Sequence, residues 1–126
     1  MFAQIVIGSN DIAAARKFYD AVLATVGVPE GIFNKELQRI YYRTSDGTFV
    51  VTKPADGNSA TVANGGTLGF KCKTPELAKA FHDAAVANGG VSIEDPPGWR
   101  NLGERKVYLA YVRDPSGHKL CATHYA

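Results

Sequence analysis

Three histidines and two cysteines, His82, His118, His124, Cys72 and Cys121, are the side chains of this sequence most suited to hold a metal or act as base or nucleophile. Cys72 and Cys121 lie far apart, each in an apolar, strand-like stretch, which reads as two buried thiols in a reducing compartment. His82 falls in mid-helix and is expected to be partly exposed. His118 follows a turn, where water or the turn backbone would satisfy it. His124 shares a strand with Cys121, and alternation places the two on opposite faces. Asp11, Asp20 and Asp83 suit helix caps and helix surfaces better than acid–base roles. There is no Gly-x-Ser-x-Gly elbow, no Gly-x-x-x-x-Gly-Lys phosphate loop and no His-Glu-x-x-His zinc helix.

The elements that position these residues come from an internal duplication. Residues 15–28 align without gaps on residues 78–91, with seven of fourteen positions identical, including Phe18/Phe81, Asp20/Asp83 and Gly27/Gly90. A second match runs at an offset of 70, from Tyr41-x-Arg43 and Gly47 to Tyr111-x-Arg113 and Gly117. Two collinear matches outweigh the chance similarity of alanine-rich helices. Each half begins with an apolar strand, Ala3 to Ile7 and Thr67 to Lys73. A capped helix follows: Ser9-Asn10-Asp11 offers polar caps to the first, and Thr74-Pro75 starts the second. Three short strands then complete each half. They are Ile32 to Phe33, Gln38 to Arg43 and Thr48 to Lys53 in the first, and Val91 to Glu94, Lys106 to Arg113 and Lys119 to Thr123 in the second. The extra length of the second half falls in a loop around Pro96-Pro97-Gly98-Trp99-Arg100. The predicted organisation is one domain over 1–126, with module one at 1–55, a polar small-residue linker at 56–65 and module two at 66–126.

Composition narrows the function. A chain of 126 residues supports one core, and 45% apolar with 21% charged residues is ordinary globular usage. A formal charge of +2 with scattered Lys and Arg disfavours nucleic acid as a partner. No apolar run is long enough for a membrane span. The start, Met1-Phe2-Ala3-Gln4, lacks a basic signal-peptide lead, so the expected location is cytoplasmic.

Three stretches occur in order on the duplicated frame. They are Ile7-Gly8-Ser9-Asn10-Asp11 leading to Phe18-Tyr19-Asp20-Ala21-Val22-Leu23, then Gly65-Gly66-Thr67-Leu68-Gly69-Phe70, and last Tyr111 to Leu120 with its Asp114-Pro115-Ser116-Gly117 turn. Together they resemble the vicinal oxygen chelate superfamily of glyoxalase I, extradiol dioxygenases, fosfomycin-resistance enzymes and bleomycin-resistance proteins. The resemblance implies an α+β fold of two tandem βαβββ modules forming an incomplete barrel around a concave pocket, helices outside. It also implies a homodimer.

Metal-dependent members of that family hold a divalent ion with His, Gln or Glu on equivalent strands. The corresponding positions here are Gln4, its repeat partner Thr67, Cys121 after the last turn, and Val51 seventy residues earlier. Valine cannot ligate, threonine is a poor neutral ligand and a lone thiolate suits a soft ion. The expectation is therefore no metal cofactor, with a divalent ion requiring ligands recruited from elsewhere. If Gln4, Thr67 and Cys121 face inward, alternation adds Phe2, Val6, Gly69, Lys71, Phe49 and Lys53 to the wall. Tyr42 and Tyr108 are further candidates, and Trp99 and Arg100 sit on a loop placed to cover the mouth. Such a pocket suits a small anionic or planar aromatic ligand. Three functions follow: a metal-free, bleomycin-resistance-like small-molecule binder, a lyase or dioxygenase with an atypical metal site, or a dimeric structural or regulatory protein with a vestigial cavity.

Overall fold

Asp11 and Thr74 nucleate the two helices, each side chain accepting a hydrogen bond from the backbone N–H three residues on, Ala14 at 3.0 Å and Leu77 at 3.1 Å. The computed structural model describes all 126 residues. Module one comprises β1 (Gln4–Gly8), α1 (Ile12–Ala24), β2 (Ile32–Asn34), β3 (Arg39–Thr44) and β4 (Gly47–Thr52). Module two comprises β5 (Leu68–Lys71), α2 (Pro75–Ala87), β6 (Val91–Ser92), β7 (Gly98–Leu102), β8 (Arg105–Arg113) and β9 (Lys119–Tyr125). The architecture is α+β, two open mixed sheets each carrying one helix, with no closed barrel. Sheet order is β1-β4-β3-β2 in module one and β5-β9-β8-β6 in module two, with β7 also paired to β8. In each sheet the first strand runs parallel to the last, and the other pairings are antiparallel.

The loop expected around Trp99 is corrected by the structure. Gly98–Leu102 forms an additional strand, paired antiparallel to β8 through a two-residue turn at Gly103-Glu104. Gly103 has φ of 64°, the left-handed start that such tight hairpins require.

The helices pack on each other, and the helix-bearing faces of both sheets join them in one core that includes Phe18, Phe81, Ile40, Val51, Val112 and Leu120. An aromatic run links the halves through it, with ring centroids 5.0 Å apart for Tyr19–Phe49, 5.5 Å for Phe49–Phe70 and 5.3 Å for Phe70–Phe81. The opposite, open faces share no hydrophobic cluster between modules; Val107, Leu109 and Cys121 form a small one within module two. A polar latch reinforces the junction. Tyr19 Oη donates to buried Asp114 Oδ2 at 2.6 Å, and His118 Nε2 donates to the Gly8 carbonyl at 2.7 Å. The Ser116 and Ser9 hydroxyls meet at 3.3 Å. Asn10 fastens the connection between modules, exchanging two hydrogen bonds with the Ala60 backbone.

Gly90 marks how tight this junction is. A Cβ there would lie 2.7 Å from the Ala85 carbonyl oxygen, 2.8 Å from the Phe18 ring and 2.9 Å from the Arg113 carbonyl oxygen. Gly90→Ala is expected to cost about 2–3 kcal/mol in urea denaturation by overpacking. Gly69→Ala, which meets only Thr123 Oγ1 at 4.0 Å, should stay within about 0.5 kcal/mol of wild type.

Candidate functional site

Strand register decides which residues share a face. Gln4 pairs with Thr48 and Val6 with Val50, so Gln4, Val6 and Val50 lie on the open face of module one. Val51 pairs with Ile7 and is buried in the core against α1. The sequence-based assignment of Val51 beside Gln4 is thereby corrected. The physical reason is one residue of turn length. Arg43 pairs with Thr48 across the first turn, whereas Arg113 pairs with Lys119 across the second. The offset of 70 becomes 71 past that turn, and a single-residue slip exchanges the two faces of a strand. The partner of Cys121 in the repeat is Val50.

The four symmetry-related positions therefore offer an amide (Gln4), a hydroxyl (Thr67), a thiol (Cys121) and a hydrocarbon (Val50). No group of three or more His, Cys, Asp or Glu side chains converges anywhere in the structure. This donor set does not fit a hard or borderline divalent ion. Cys121 is itself buried, its Sγ 3.3 Å from Thr123 Oγ1. Burial, with Cys121 and Glu94 nearby, pushes the Tyr111 phenol up, against a smaller lowering by Arg100.

A cavity of about 480 Å³ opens at the junction of the modules between the unpaired edges of β1 and β5. Because it lies between two edges, both sheet faces contribute. Tyr42, Phe49 and Phe70 supply aromatic surface from the helix-bearing side. Gln4, Gly69 and Lys71 enter from the open side, and the C-terminal end of α1 closes one wall. A cleft of this size with mostly apolar walls and a few polar groups has the character of a small-molecule site. The Tyr42 hydroxyl is already engaged, donating to Asp20 Oδ1 at 2.7 Å, and burial and that carboxylate hold its ionisation far above the usual tyrosine range.

Of the residues picked from the sequence, the structure thus brings Phe2, Gln4, Tyr42, Phe49, Gly69 and Lys71 together and leaves Lys53 outside. Phe49 reaches the cavity from the face opposite to the expected one. Val6, Arg100 and Cys121 stay on open faces outside it, and Thr67 lies exposed just before β5. Tyr108 packs against the core, and Trp99 pairs with it on the helix-bearing side, 5.6 Å from its ring and 6.1 Å from that of His124. The hairpin explains both corrections. On β7, alternation sends Trp99 to the helix side and Arg100 to the open face, where Arg100 Nη2 donates to the Pro96 carbonyl at 2.6 Å. Neither covers the cavity.

Phe70 was missed because alternation sets it opposite Lys71, and only an edge site recruits both. His82 is buried rather than partly exposed, its Nε2 2.8 Å from Ser92 Oγ and its Nδ1 3.1 Å from Asp83 Oδ1. This line ties α2 to β6, away from the cavity. Burial raises the Cys72 thiol, which lowers its thiolate fraction and its reactivity.

A family model described as Glyoxalase/Bleomycin resistance protein/Dioxygenase superfamily matches residues 2–122. A glyoxalase/bleomycin resistance protein from Albidiferax ferrireducens T118 is 49% identical in sequence, covers 98% of each chain and superposes with a TM-score of 0.94. The fold also recurs in a glyoxalase-related enzyme from Fulvimarina pelagi at 18% identity, over 98% of this chain and 87% of that one, TM-score 0.75. It recurs again in a glyoxalase/bleomycin resistance protein/dioxygenase family enzyme from Burkholderia phytofirmans PsJN at 15% identity, covering 98% of both chains, TM-score 0.70. No curated protein matches the sequence. No helix is long and apolar enough to cross a membrane.

Proposed function

We propose that this chain, which belongs to the glyoxalase/bleomycin resistance protein/dioxygenase superfamily, is a small-molecule binder that works without that family's metal centre. The junction cavity carries the reading: aromatic rings on one side and Lys71 with Gln4 on the other suit a planar aromatic acid. The donor chemistry of Gln4, Val50, Thr67 and Cys121 supports a metal-free mode, in which ring stacking and a lysine–carboxylate contact replace chelation. The protein is proposed to act in the cytoplasm, in keeping with two free buried thiols.

A homodimer is part of this proposal. Val6, on the open face of β1 outside the cavity, is 41% exposed, apolar surface that a second copy would cover.

Calorimetric titration with benzoate and naphthoate tests the ligand class. Wild type should bind, and Lys71→Ala should weaken binding at least ~10-fold, the loss of one charge-assisted contact. Equal affinity in Lys71→Ala would remove the anionic half of the proposal, and no binding by any aromatic acid would remove the whole. Metal analysis of protein purified without chelator is the second arm. Stoichiometric Zn, Ni, Mn or Fe would favour a lyase or dioxygenase instead.

A further inference from the structure

Charge in this molecule is segregated by element. The nine strands contain eight of the fourteen Lys and Arg residues and none of the twelve Asp and Glu residues. Alternation sends all of these cations except Lys106, which lies over the Trp99 ring, to the open faces. Only Lys119 among them has a carboxylate partner, Glu94; the other two pairs of Lys or Arg with a carboxylate sit on the helices. Six open-face cations therefore have no ion-pair partner, although the net charge of the chain is only +2.

The repeated Tyr-x-Arg element lies at the centre of this arrangement. Tyr41 and Arg43 occupy the open face of β3, and Tyr111 and Arg113 the equivalent positions of β8. Each ring is covered by a cation: the Arg43 guanidinium is 4.4 Å from the Tyr41 centroid, and the Lys119 ammonium 4.8 Å from that of Tyr111. Arg39 flanks Tyr41 from the other side at 5.9 Å. A ring fixes a cation in place without neutralising it, which a carboxylate would do. A guanidinium so held keeps its planar fork of N–H groups for a two-oxygen anion. Arg113 spends one N–H on the Gly117 carbonyl at 2.8 Å and keeps the rest. Gathering like charges on a sheet costs stability by repulsion, and a bound anion relieves it.

We infer that the open faces form an anion-recognition surface, built twice on Tyr-x-Arg, that takes a small phosphate monoester carrying a planar group. The surplus of unpaired cations favours a dianion over a monoanion, and the planar guanidinium groups favour a flat substituent that stacks on them. This goes beyond the cavity reading and is separable from it, because Tyr41, Arg43, Tyr111 and Arg113 lie outside the cavity, although Lys71 borders both surfaces.

Phenyl phosphate is the probe, followed by backbone amide shifts in NMR titrations of the full chain. Shifts are expected along β3 and β8 around residues 41–43 and 111–113, with affinity falling as NaCl rises. The double variant R43Q/R113Q should bind at least ~10-fold more weakly, from the loss of charge-assisted pairs, with an unchanged circular dichroism spectrum. Shifts confined to Phe49 and Phe70, wild-type affinity in the double variant, or no binding would each overturn the inference. Inorganic phosphate binding as tightly as phenyl phosphate would overturn its aromatic part.

Discussion

Asp114→Ala is expected to remove about 3–4 kcal/mol of stability, a large share of what a domain of this size possesses. Asp114 is 5% exposed, and its carboxylate satisfies three donors at once. Oδ2 accepts from Tyr19 at 2.6 Å, and Oδ1 accepts from the backbone N–H groups of Ser116 at 3.0 Å and His118 at 2.9 Å. Alanine would strand the buried Tyr19 hydroxyl and loosen the turn that carries the latch to module one. Tyr19→Phe removes the hydroxyl without leaving the turn unsatisfied, and should cost about 1–2 kcal/mol. Urea denaturation of both single variants and the double variant gives the coupling directly. Additive losses would show that the contact does not join the modules energetically.

Above pH ~10, Tyr19 and Tyr42 together should lower stability by about 2.7 kcal/mol per pH unit, roughly 1.4 from each. Burial first, and then Asp114, hold the Tyr19 phenol well above its ordinary value; burial and Asp20 do the same for Tyr42. Both rings are essentially inaccessible to solvent. In the unfolded chain they release protons near pH ~10, while in the folded protein they keep them. The folded state thus binds more protons in this window, and ∂ΔG/∂pH is negative. The contribution is fully present below the unfolded value and is lost as pH rises towards the raised folded values. Unfolding free energies measured at stepped alkaline pH, with Tyr19→Phe/Tyr42→Phe as reference, isolate the effect. An equal slope in the double variant would refute it, as would phenolate absorbance from either ring before the chain unfolds.

The helices and the duplication were legible because they rest on local chemistry. Asp11 and Thr74 cap as their types predict, and Phe18/Phe81 recur where the repeat places them. Faces were legible only while the offset held. Gln4, Gly69, Lys71 and Cys121 lie on open faces as alternation required, but the added residue after Gly117 moved the equivalence from Val51 to Val50. Aligned glycines conceal that change, since pairing across a turn depends on its closure and not on its identity match. β7 was hidden behind Pro96-Pro97, which announce a loop without revealing that a hairpin follows. The cavity was harder still. It belongs to two strand edges, so neighbours of opposite facing, Phe70 and Lys71, line it together, and no periodicity of one strand contains that information.

The longer turn of module two has a consequence for inheritance. A chain assembled from two copies of residues 1–55 would keep the strand and helix frame. It would have no Asp114 to receive Tyr19, no Ser116 to meet Ser9 and no His118 to reach the Gly8 carbonyl. The longer turn, with the residues it carries, makes one half the key and the other its lock. Sequence exchange between the halves would now erase the fit each time, which lets each drift apart from its twin while the pair stays joined.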